Sequence, residues 1–322
     1  MSRTPQEQLT HFLSDMYSVE QQALAQLISA PDIAGDPGLA ADFREHHIET
    51  EQQAELVRER LEARGGSPSV IKDAIMKLGG KGFLLFAQVQ PETPGRLIDH
   101  AYSYEAMEWA GYEMLIRFAD AVDDAETVAT AQNIRDQERQ MMERLESGFD
   151  AAEHVTHAEL SPEELQQHLR KHLAEVHAFE SQGLQLFEKS KKIAGSSALE
   201  EQYREAIIEV REHMSRVEER LSELGEDTSK LRDGALTLAG LNWGFFFQVQ
   251  SDTPAKLAAF AYALLHLQIG GYELLKRTAQ RANDGATQRV CETILAEKRA
   301  TAQALTRSFD AAVQATLDAV HA

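Results

Sequence analysis

The chain has a single cysteine, Cys291, among 322 residues. One cysteine excludes an intramolecular disulfide and a zinc site built from several thiolates. Basic residues are also scarce, because 32 Lys and Arg stand against 52 Asp and Glu, which gives a formal net charge of −20. Nucleic acids and anionic membranes are bound by clustered positive charge. We therefore predict no nucleic-acid partner and no membrane surface.

Long apolar runs are missing as well. The longest, Phe83–Val89 and Trp243–Val249, fall far short of the roughly 18 apolar residues that mark a membrane span. The first residues, MSRTPQEQLTHFL, lack the basic-then-apolar pattern of a signal peptide. Together with the single cysteine, these features predict a cytoplasmic protein.

What the sequence has instead is an internal repeat. Residues 86–94 read FAQVQPETP and residues 246–254 read FFQVQSDTP. At this offset residues 5–153 align with residues 165–313 without a gap. About a third of the columns are identical, roughly five times the chance level. The sequence thus predicts a tandem duplication, with one domain at 1–155 and the second at 156–322.

Each copy shows the spacing of amphipathic helices. In the first copy, apolar residues recur at intervals of three and four over residues 9–27, 39–61, 97–119 and 131–149. Start signals precede several helices, as a capping residue before proline or as a capping box. They lie at Thr4-Pro5, Asp36-Pro37, Thr93-Pro94, Ser161…Glu164, Ser197…Glu200 and Thr253-Pro254. Glycines at 65–66 and at 225 are predicted to end the second helix of each copy.

Four long helices per copy, without an alternating strand pattern, predict an all-α fold of two tandem antiparallel four-helix bundles. The connection between the second and third helices is long, roughly residues 66–92, and we predict a short helix over Val70–Leu78 within it. A long crossover of this kind is typical of ferritin-like bundles. We expect the two bundles to pair as a pseudo-two-fold dimer within one chain that is otherwise monomeric.

Carboxylates lie on or beside the apolar faces of the helices in the first copy. Burying an isolated carboxylate is costly unless it is protonated, paired or bound to a metal, and the first copy offers no interior Lys or Arg at the same depth. Carboxylates that point inward from four helices are typical of a site for two cations such as iron or manganese. The residues on these faces are Glu20, His46, Glu49, Glu105, Glu108 and Glu138.

Three stretches carry a resemblance to a known family: YSVEQQAL at 17–24, FREHHIETEQQ at 43–53 and YEAMEWAGYEML at 104–115. They resemble the YciE/YciF-type ferritin-like family, bacterial proteins that are associated with stress responses and carry a di-metal-type bundle. The resemblance covers almost the whole chain, once per half. It implies Glu20, Glu49, Glu105 and Glu138 as carboxylate ligands, with His46 and Glu108 as further candidates. It also implies a function in oxidising iron or removing peroxide, although whether turnover occurs stays open.

This sequence departs from the general ferritin-like pattern, which has a Glu-x-x-His step on the second and fourth helices. Here those steps read Glu49-x-x-Gln52 and Glu138-x-x-Met141. Because His46 is the only imidazole that we expect nearby, the site would be rich in oxygen ligands. Oxygen ligands favour manganese or iron over copper or zinc.

The second copy has lost much of this set. Glu105, Glu108 and Glu138 correspond to Leu265, Gln268 and Lys298. An ammonium group at a ligand position repels a divalent ion, so we predict that Lys298 pairs with one of the retained carboxylates, Glu180 or Glu209, and that this copy is a structural partner. The alternative is a rearranged metal site, formed by Glu180, Glu209, Glu212, His213 and His266.

Two other functions are left open by the sequence. One is a metal-free helical scaffold or stress protein without a cofactor, in which the buried carboxylates are protonated or linked by water. The other is a carrier that holds an apolar ligand in the Phe-rich connections at 83–89 and 243–249. We favour a different role for these connections, a seal between the two copies, because related apolar surfaces usually bury each other. No phosphate loop, nucleophile elbow or HExxH motif is present.

Overall fold

The computed structural model describes residues 3–68, 93–227 and 253–319 of the chain. Within these ranges every regular element is a helix, which confirms the all-α fold. The contacts between residues divide the chain into two compact units. Met1–Thr156 and Val313–Ala322 form the first unit, and His157–Ala312 form the second. These units differ from the predicted domains 1–155 and 156–322 in placing the last segment with the first unit.

The first unit is built from four long helices and one short helix. Helix α1 packs on α3 and on α4, and the short α2 lies against α3. Side-chain hydrogen bonds tie α5 to α3, as between Gln53 and Gln137. The helices are α1 Pro5–Leu27, α2 Ala30–Ile33, α3 Pro37–Ala63, α4 Thr93–Asp120 and α5 Ala125–His157.

The second unit repeats this plan. Helix α6 packs on α7 and α8, and α9 packs on α8 and α7. The fourth helix of this copy is interrupted by a turn at residues 307–308, where the first copy has one continuous helix. The helices of the second copy are α6 Pro162–Lys192, α7 Ser197–Glu223, α8 Pro254–Arg281, α9 Gly285–Thr306 and α10 Phe309–Asp318. The residues of α10 from Val313 onward are assigned to the first unit.

The helix starts agree closely with the capping signals in the sequence. Thr4 and Ser161 each form a full capping box with the glutamate three residues later. The Asp36 carboxylate accepts hydrogen bonds from the backbone N–H groups of residues 38 and 39. The predicted capping box at Ser197 is wrong by one residue, because the side chain that accepts the Leu199 N–H belongs to Ser196. A serine pair offers two equivalent caps, and only the backbone geometry distinguishes them.

The ends of the second helices follow the predicted glycines. Gly65 has φ of 75° and Gly225 has φ of 82°. In this left-handed region a side chain beyond hydrogen is strained, so glycine ends α3 and α7 at equivalent points.

A matched polar network joins the second and fourth helices of each copy. In the first unit Arg60 donates to Thr127 Oγ1 at 3.1 Å and to Asp124 Oδ1 at 3.0 Å. In the second unit Arg220 donates to Thr287 Oγ1 at 2.8 Å and to Asp284 Oδ2 at 2.6 Å. Because the aspartate also caps the N-terminus of the fourth helix, this network fixes the register of two of the four helices.

Several predictions concern residues outside the described ranges. The short helix over Val70–Leu78 and the apolar segments at 83–89 and 243–249 lie there, so the seal and the apolar-ligand carrier stay predictions. The pseudo-two-fold pairing of the bundles and the monomeric state stay predictions too. In the part of the chain that the structure describes, no helix is long and apolar enough to cross a membrane.

Candidate metal centre

Three helices of the first unit bring four ligand-type side chains together in the bundle core. His46 comes from α3, Glu105 and Glu108 come from α4, and Glu138 comes from α5. One ligand atom from each lies within 4.8 Å of the others. None of the four is more than 3% exposed. We call these four residues the carboxylate cluster.

Local helix geometry explains how one helix supplies two of the four. Glu105 and Glu108 are three residues apart, and side chains at that spacing share a face of an α-helix. Other residues of this face follow the same period. Leu97, Tyr112 and Leu115 are buried, and Ala101 is partly buried. The hydrophobic burial of α4 therefore carries both glutamates into the core.

The orientation of His46 is set by three carboxylates, two beside its Nε2 and one beside its Nδ1. Its Nε2 lies 2.9 Å from Glu105 Oε2 and 3.7 Å from Glu138 Oε2. Its Nδ1 lies 3.1 Å from Glu49 Oε2. A metal-ligating histidine usually donates its second ring N–H to a carboxylate. Glu49 is in position to accept that hydrogen bond and to leave Nε2 facing Glu105 and Glu138.

Glu49 itself lies outside the carboxylate cluster, although the sequence indicated it as a ligand. Its side chain is 25% exposed, and Arg144 Nη2 donates to its Oε2 at 2.8 Å. Hydrogen bonds from His46 and Arg144 outweigh the effect of partial burial and lower the pKa of Glu49 to about 2. Glu49 therefore remains ionised and links His46 to Arg144.

Glu20, also predicted as a ligand, lies beside the carboxylate cluster without being one of its four members. Glu20 is fully buried, and the Tyr112 hydroxyl donates a hydrogen bond to its Oε1. Burial raises the pKa of Glu20 to about 8, although Tyr112 and His46 act in the opposite direction. The charges of His46 and Glu105 act on Glu20 directly, so α1 supplies a fifth ionisable group to the centre.

The electrostatics of the centre are dominated by burial of like charges. Burial and the neighbouring carboxylates raise the pKa of Glu108 well above its usual value, and burial raises that of Glu138 in the same way despite His46. Burial alone would lower the pKa of His46, but Glu105, Glu49 and Glu138 hold it well above its usual value. A divalent cation among these groups would remove the repulsion that produces these shifts.

The donor set fits a metal of the iron or manganese type. Among the residues that the structure describes, neither oxygen of the Glu108 carboxylate receives a hydrogen bond, although both are shielded from solvent. Buried polar atoms are normally satisfied by a partner. One imidazole and several carboxylates are hard or borderline ligands, which suit iron and manganese better than a thiolate-seeking metal.

The corresponding centre of the second unit is held by an ion pair. Lys298 Nζ lies 2.6 Å from Glu180 Oε2 and donates to Gln268 Oε1 at 2.8 Å. Lys298 is 1% exposed and Glu180 is fully buried. The predicted pairing of Lys298 with Glu180 is confirmed. Gly183 leaves room for the Gln268 side chain, because a Cβ at position 183 would lie 2.5 Å from the Gln268 amide nitrogen.

The rearranged metal site proposed for the second copy does not form among the described residues. Glu209 accepts a hydrogen bond from the Thr301 hydroxyl, and His266 Nδ1 lies 2.9 Å from the Tyr262 carbonyl oxygen. His213 lies 3.5 Å from Glu180 but 2.8 Å from Glu297. Glu212 is more than half exposed and contacts Arg216. Apart from the contact between His213 and Glu180, these side chains are used in separate contacts and share no centre.

Two residues of the first centre were not identified from the sequence. Tyr112 lies within the predicted amphipathic helix over residues 97–119 and was not indicated as a site residue, yet its hydroxyl donates a hydrogen bond to Glu20. Arg144 is not among the residues that the sequence indicated, yet it donates a hydrogen bond to Glu49. Its role is visible in the repeat, because the matching position in the second copy, where no histidine needs to be oriented, is Ala304.

The chain belongs to a family that is described as a domain of unknown function, DUF892. The family model matches twice, over residues 4–159 and residues 164–318. Both matches together span nearly the whole chain, so each copy of the duplication is one such domain. No solved structure matches the chain.

Proposed function

We propose that the first unit binds a carboxylate-rich centre of two iron or manganese ions, and that the second unit is its metal-free structural counterpart. The observation that carries this proposal is the carboxylate cluster: four buried ligand-type side chains whose donor atoms lie within 4.8 Å of one another. Structural ion-pair networks balance buried carboxylates with a cation of the protein, as the second unit does with Lys298. The first centre offers one imidazole, that of His46, for the four buried carboxyl groups of Glu20, Glu105, Glu108 and Glu138.

Charge balance supports two ions rather than one. Glu20, Glu105, Glu108 and Glu138 supply four negative charges when ionised, and two divalent ions neutralise them with His46 as a neutral ligand. Carboxylates from all four helices with histidine ligands are the usual basis of di-iron and di-manganese bundles. His46 and the three glutamates of the carboxylate cluster would hold the ions, and Glu20 would complete the set from α1.

The proposal places the chain with the YciE/YciF-type ferritin-like proteins and their association with stress. When bound, iron or manganese would supply one-electron redox chemistry for oxidising iron or removing peroxide. The chain's own residues position the ligands and exclude bulk water. Glu49 and Arg144 fix the ring of His46, and Tyr112 fixes Glu20.

Loading with manganese tests the proposal directly. We expect anaerobically loaded wild-type protein to give the electron paramagnetic resonance signal of a coupled manganese pair. The Glu108→Gln variant, which introduces the residue of the second copy, should lose that signal. The control is Glu209→Gln in the second copy, which should keep it. A signal from isolated ions only, in all three proteins, would contradict a paired centre.

The metal-free scaffold gives a different result in the same experiment. It predicts no bound ion in any of the proteins and a melting temperature that does not respond to iron or manganese. If that result were obtained, the five buried carboxyl and imidazole groups would be structural, and their protonation would have to explain the stability of the fold.

A further inference from the structure

The first unit contains a small cavity that reaches the carboxylate cluster from one side. It lies among α1, α2, α3 and α4, has a volume of about 20 Å³, and is lined in part by Glu105. Five of its lining residues lie along α4 with helical spacing and lead from Leu97 through His100, Ala101 and Tyr104 to Glu105. Since Gln26 and His100 are partly exposed, the outer end of the cavity is close to solvent.

The polar side chains of this cavity distinguish the two copies of the chain. The first copy lines it with Gln26, His100, Tyr104 and Glu105. The matching residues of the second copy are all apolar: Leu186, Phe260, Leu264 and Leu265. Polarity at these positions therefore accompanies the carboxylate cluster and disappears where Lys298 replaces it. A purely structural cavity gives no reason for that association.

The size of the cavity limits what it can hold. A cavity needs roughly 10–15 Å³ to hold one water molecule, so a volume of about 20 Å³ admits one water or a molecule of two heavy atoms. Anions are disfavoured because Glu105 and its neighbours repel negative charge. A cation is disfavoured by the Gln26 amide nitrogen, a buried donor that has no acceptor among the described residues. The guest is therefore small and uncharged.

The chemistry of the lining favours a guest that forms hydrogen bonds. The Gln26 amide nitrogen is shielded from solvent and has no acceptor among the described residues. The Tyr104 hydroxyl donates to the Val19 carbonyl oxygen at 3.0 Å, which orients the ring beside the cavity. Burial lowers the pKa of His100 to about 3, so its imidazole is neutral and can both donate and accept. Polar cavities hold water-like molecules, whereas apolar cavities stay dry.

We propose that this cavity is the entry route and binding site for hydrogen peroxide, with a water molecule as its resting occupant and Gln26 and His100 as the residues that select it. Its use as a route to bound metal rests on the function proposed above. The presence of a small molecule beside Gln26 does not depend on bound metal. The cavity proposal and the proposed function can therefore fail separately.

The first test needs no metal. A high-resolution crystal structure of the full metal-free chain should show an ordered water within hydrogen-bond distance of the Gln26 side chain, and peroxide in its place after soaking. A cavity that contains no ordered solvent would overturn the proposal whether or not the protein binds metal.

The second test changes the lining to that of the second copy. In the Gln26→Leu/His100→Phe variant loaded with manganese, we expect unchanged metal content and a weaker enhancement of water-proton relaxation by the bound ion. Peroxide consumption should fall about tenfold, the factor that corresponds to ~1.4 kcal/mol of lost interaction. The control is Gln132→Leu on the exposed face of α5, and both proteins are compared by melting temperature.

The outcomes separate the two proposals. If the wild-type protein binds no metal after loading, the proposed function is refuted. The crystal structure of the metal-free chain then still tests whether the cavity holds a solvent molecule. Normal metal content with the same relaxation and the same peroxide consumption in the cavity variant would refute the entry route and leave the metal centre intact. If the double variant melts early, the single Gln26→Leu variant is expected to show the same direction of change.

Discussion

At the scale of single residues, the centre depends on how His46 is oriented. Its ring lies between Glu49 on one side and Glu105 on the other, at 3.1 Å and 2.9 Å. Glu49 is three residues from His46, and residues at that spacing share a helix face. The sequence could therefore place both near the core, but it could not show which of them enters it. Arg144 on α5 donates a hydrogen bond to Glu49, which lies at the partly exposed edge of the core, while His46 lies inside it.

The Glu49→Gln variant tests this orientation. We expect manganese affinity to fall about 10–100-fold, the usual effect of losing a carboxylate that orients a histidine ligand. The number of ions bound at saturation should not change. A competition titration with a chelator measures both quantities. Glu209→Gln is the matched control, and equal affinities for the two variants would show that Glu49 has no such role.

The ion pair of the second unit provides a second test at this scale. Removing one partner of a buried ion pair leaves an uncompensated charge, which costs about 3–5 kcal/mol. We expect Lys298→Ala to lower the free energy of unfolding by an amount of this order because Glu180 is fully buried. Chemical denaturation measures the change.

The control for that variant is Lys192→Ala at an exposed site, which should stay within about 0.5 kcal/mol of wild type. The double variant Lys298→Met/Glu180→Gln should recover much of the loss, because replacing both charges leaves none unpaired. A shift within 0.5 kcal/mol for Lys298→Ala would rule out an energetic role for the pair.

At the scale of helices, the caps could be predicted from the sequence, whereas the networks at the helix ends could not. Capping residues and first-turn prolines predict helix starts by local chemistry alone, and Thr4, Asp36 and Ser161 behave as expected. The contact between Arg60 and Asp124 was not predicted, because it joins residues that are distant in the chain. Such contacts depend on how the helices pack, which periodicity does not specify.

This network gives a pH-dependent prediction. Burial alone would raise the pKa of Asp124, but hydrogen bonds from Thr127 and Arg64 and the charge of Arg60 lower it to about 2. A carboxyl whose pKa is lowered on folding stabilises the protein above its unfolded pKa of about 3.9. That stabilisation is lost as the pH falls from about 4 to about 2.

The Asp124→Asn variant should therefore be less stable than wild type at neutral pH, and the difference should narrow between about pH 4 and pH 2. Thermal melts at a series of pH values measure this difference. Asp120→Asn, at an exposed site on α4, serves as the control. A difference that stays constant down to pH 2 would show that Asp124 acts only as a cap and not through its charge.

At the scale of the whole molecule, the duplication provides its own comparison. The two copies share their helices, caps and end networks, and they differ in the chemistry of the core. The carboxylate positions could be found from the sequence because they interrupt apolar faces. The separation of His46, Glu105, Glu108 and Glu138 from Glu20 and Glu49 could not, since it depends on distances between helices.

Manganese should stabilise the folded wild-type chain but not a variant whose carboxylate cluster carries a lysine. A ligand that binds the folded state adds about 2.7 kcal/mol of stability at a free concentration 100 times its Kd. We expect manganese to raise the melting temperature of the wild-type chain. In the Glu138→Lys variant, which copies Lys298, we expect no response to manganese but a folded protein, because the new lysine can pair with Glu20 as Lys298 pairs with Glu180.

The metal content per chain of wild type and Glu138→Lys, measured by mass spectrometry after anaerobic loading, tests the central claim most directly. We predict about two ions per wild-type chain, as in other paired centres of this kind, and none in the variant. About four ions would mean that the second unit binds metal in spite of Lys298. No ion in the wild type, or equal content in both proteins, would contradict a metal centre at the carboxylate cluster.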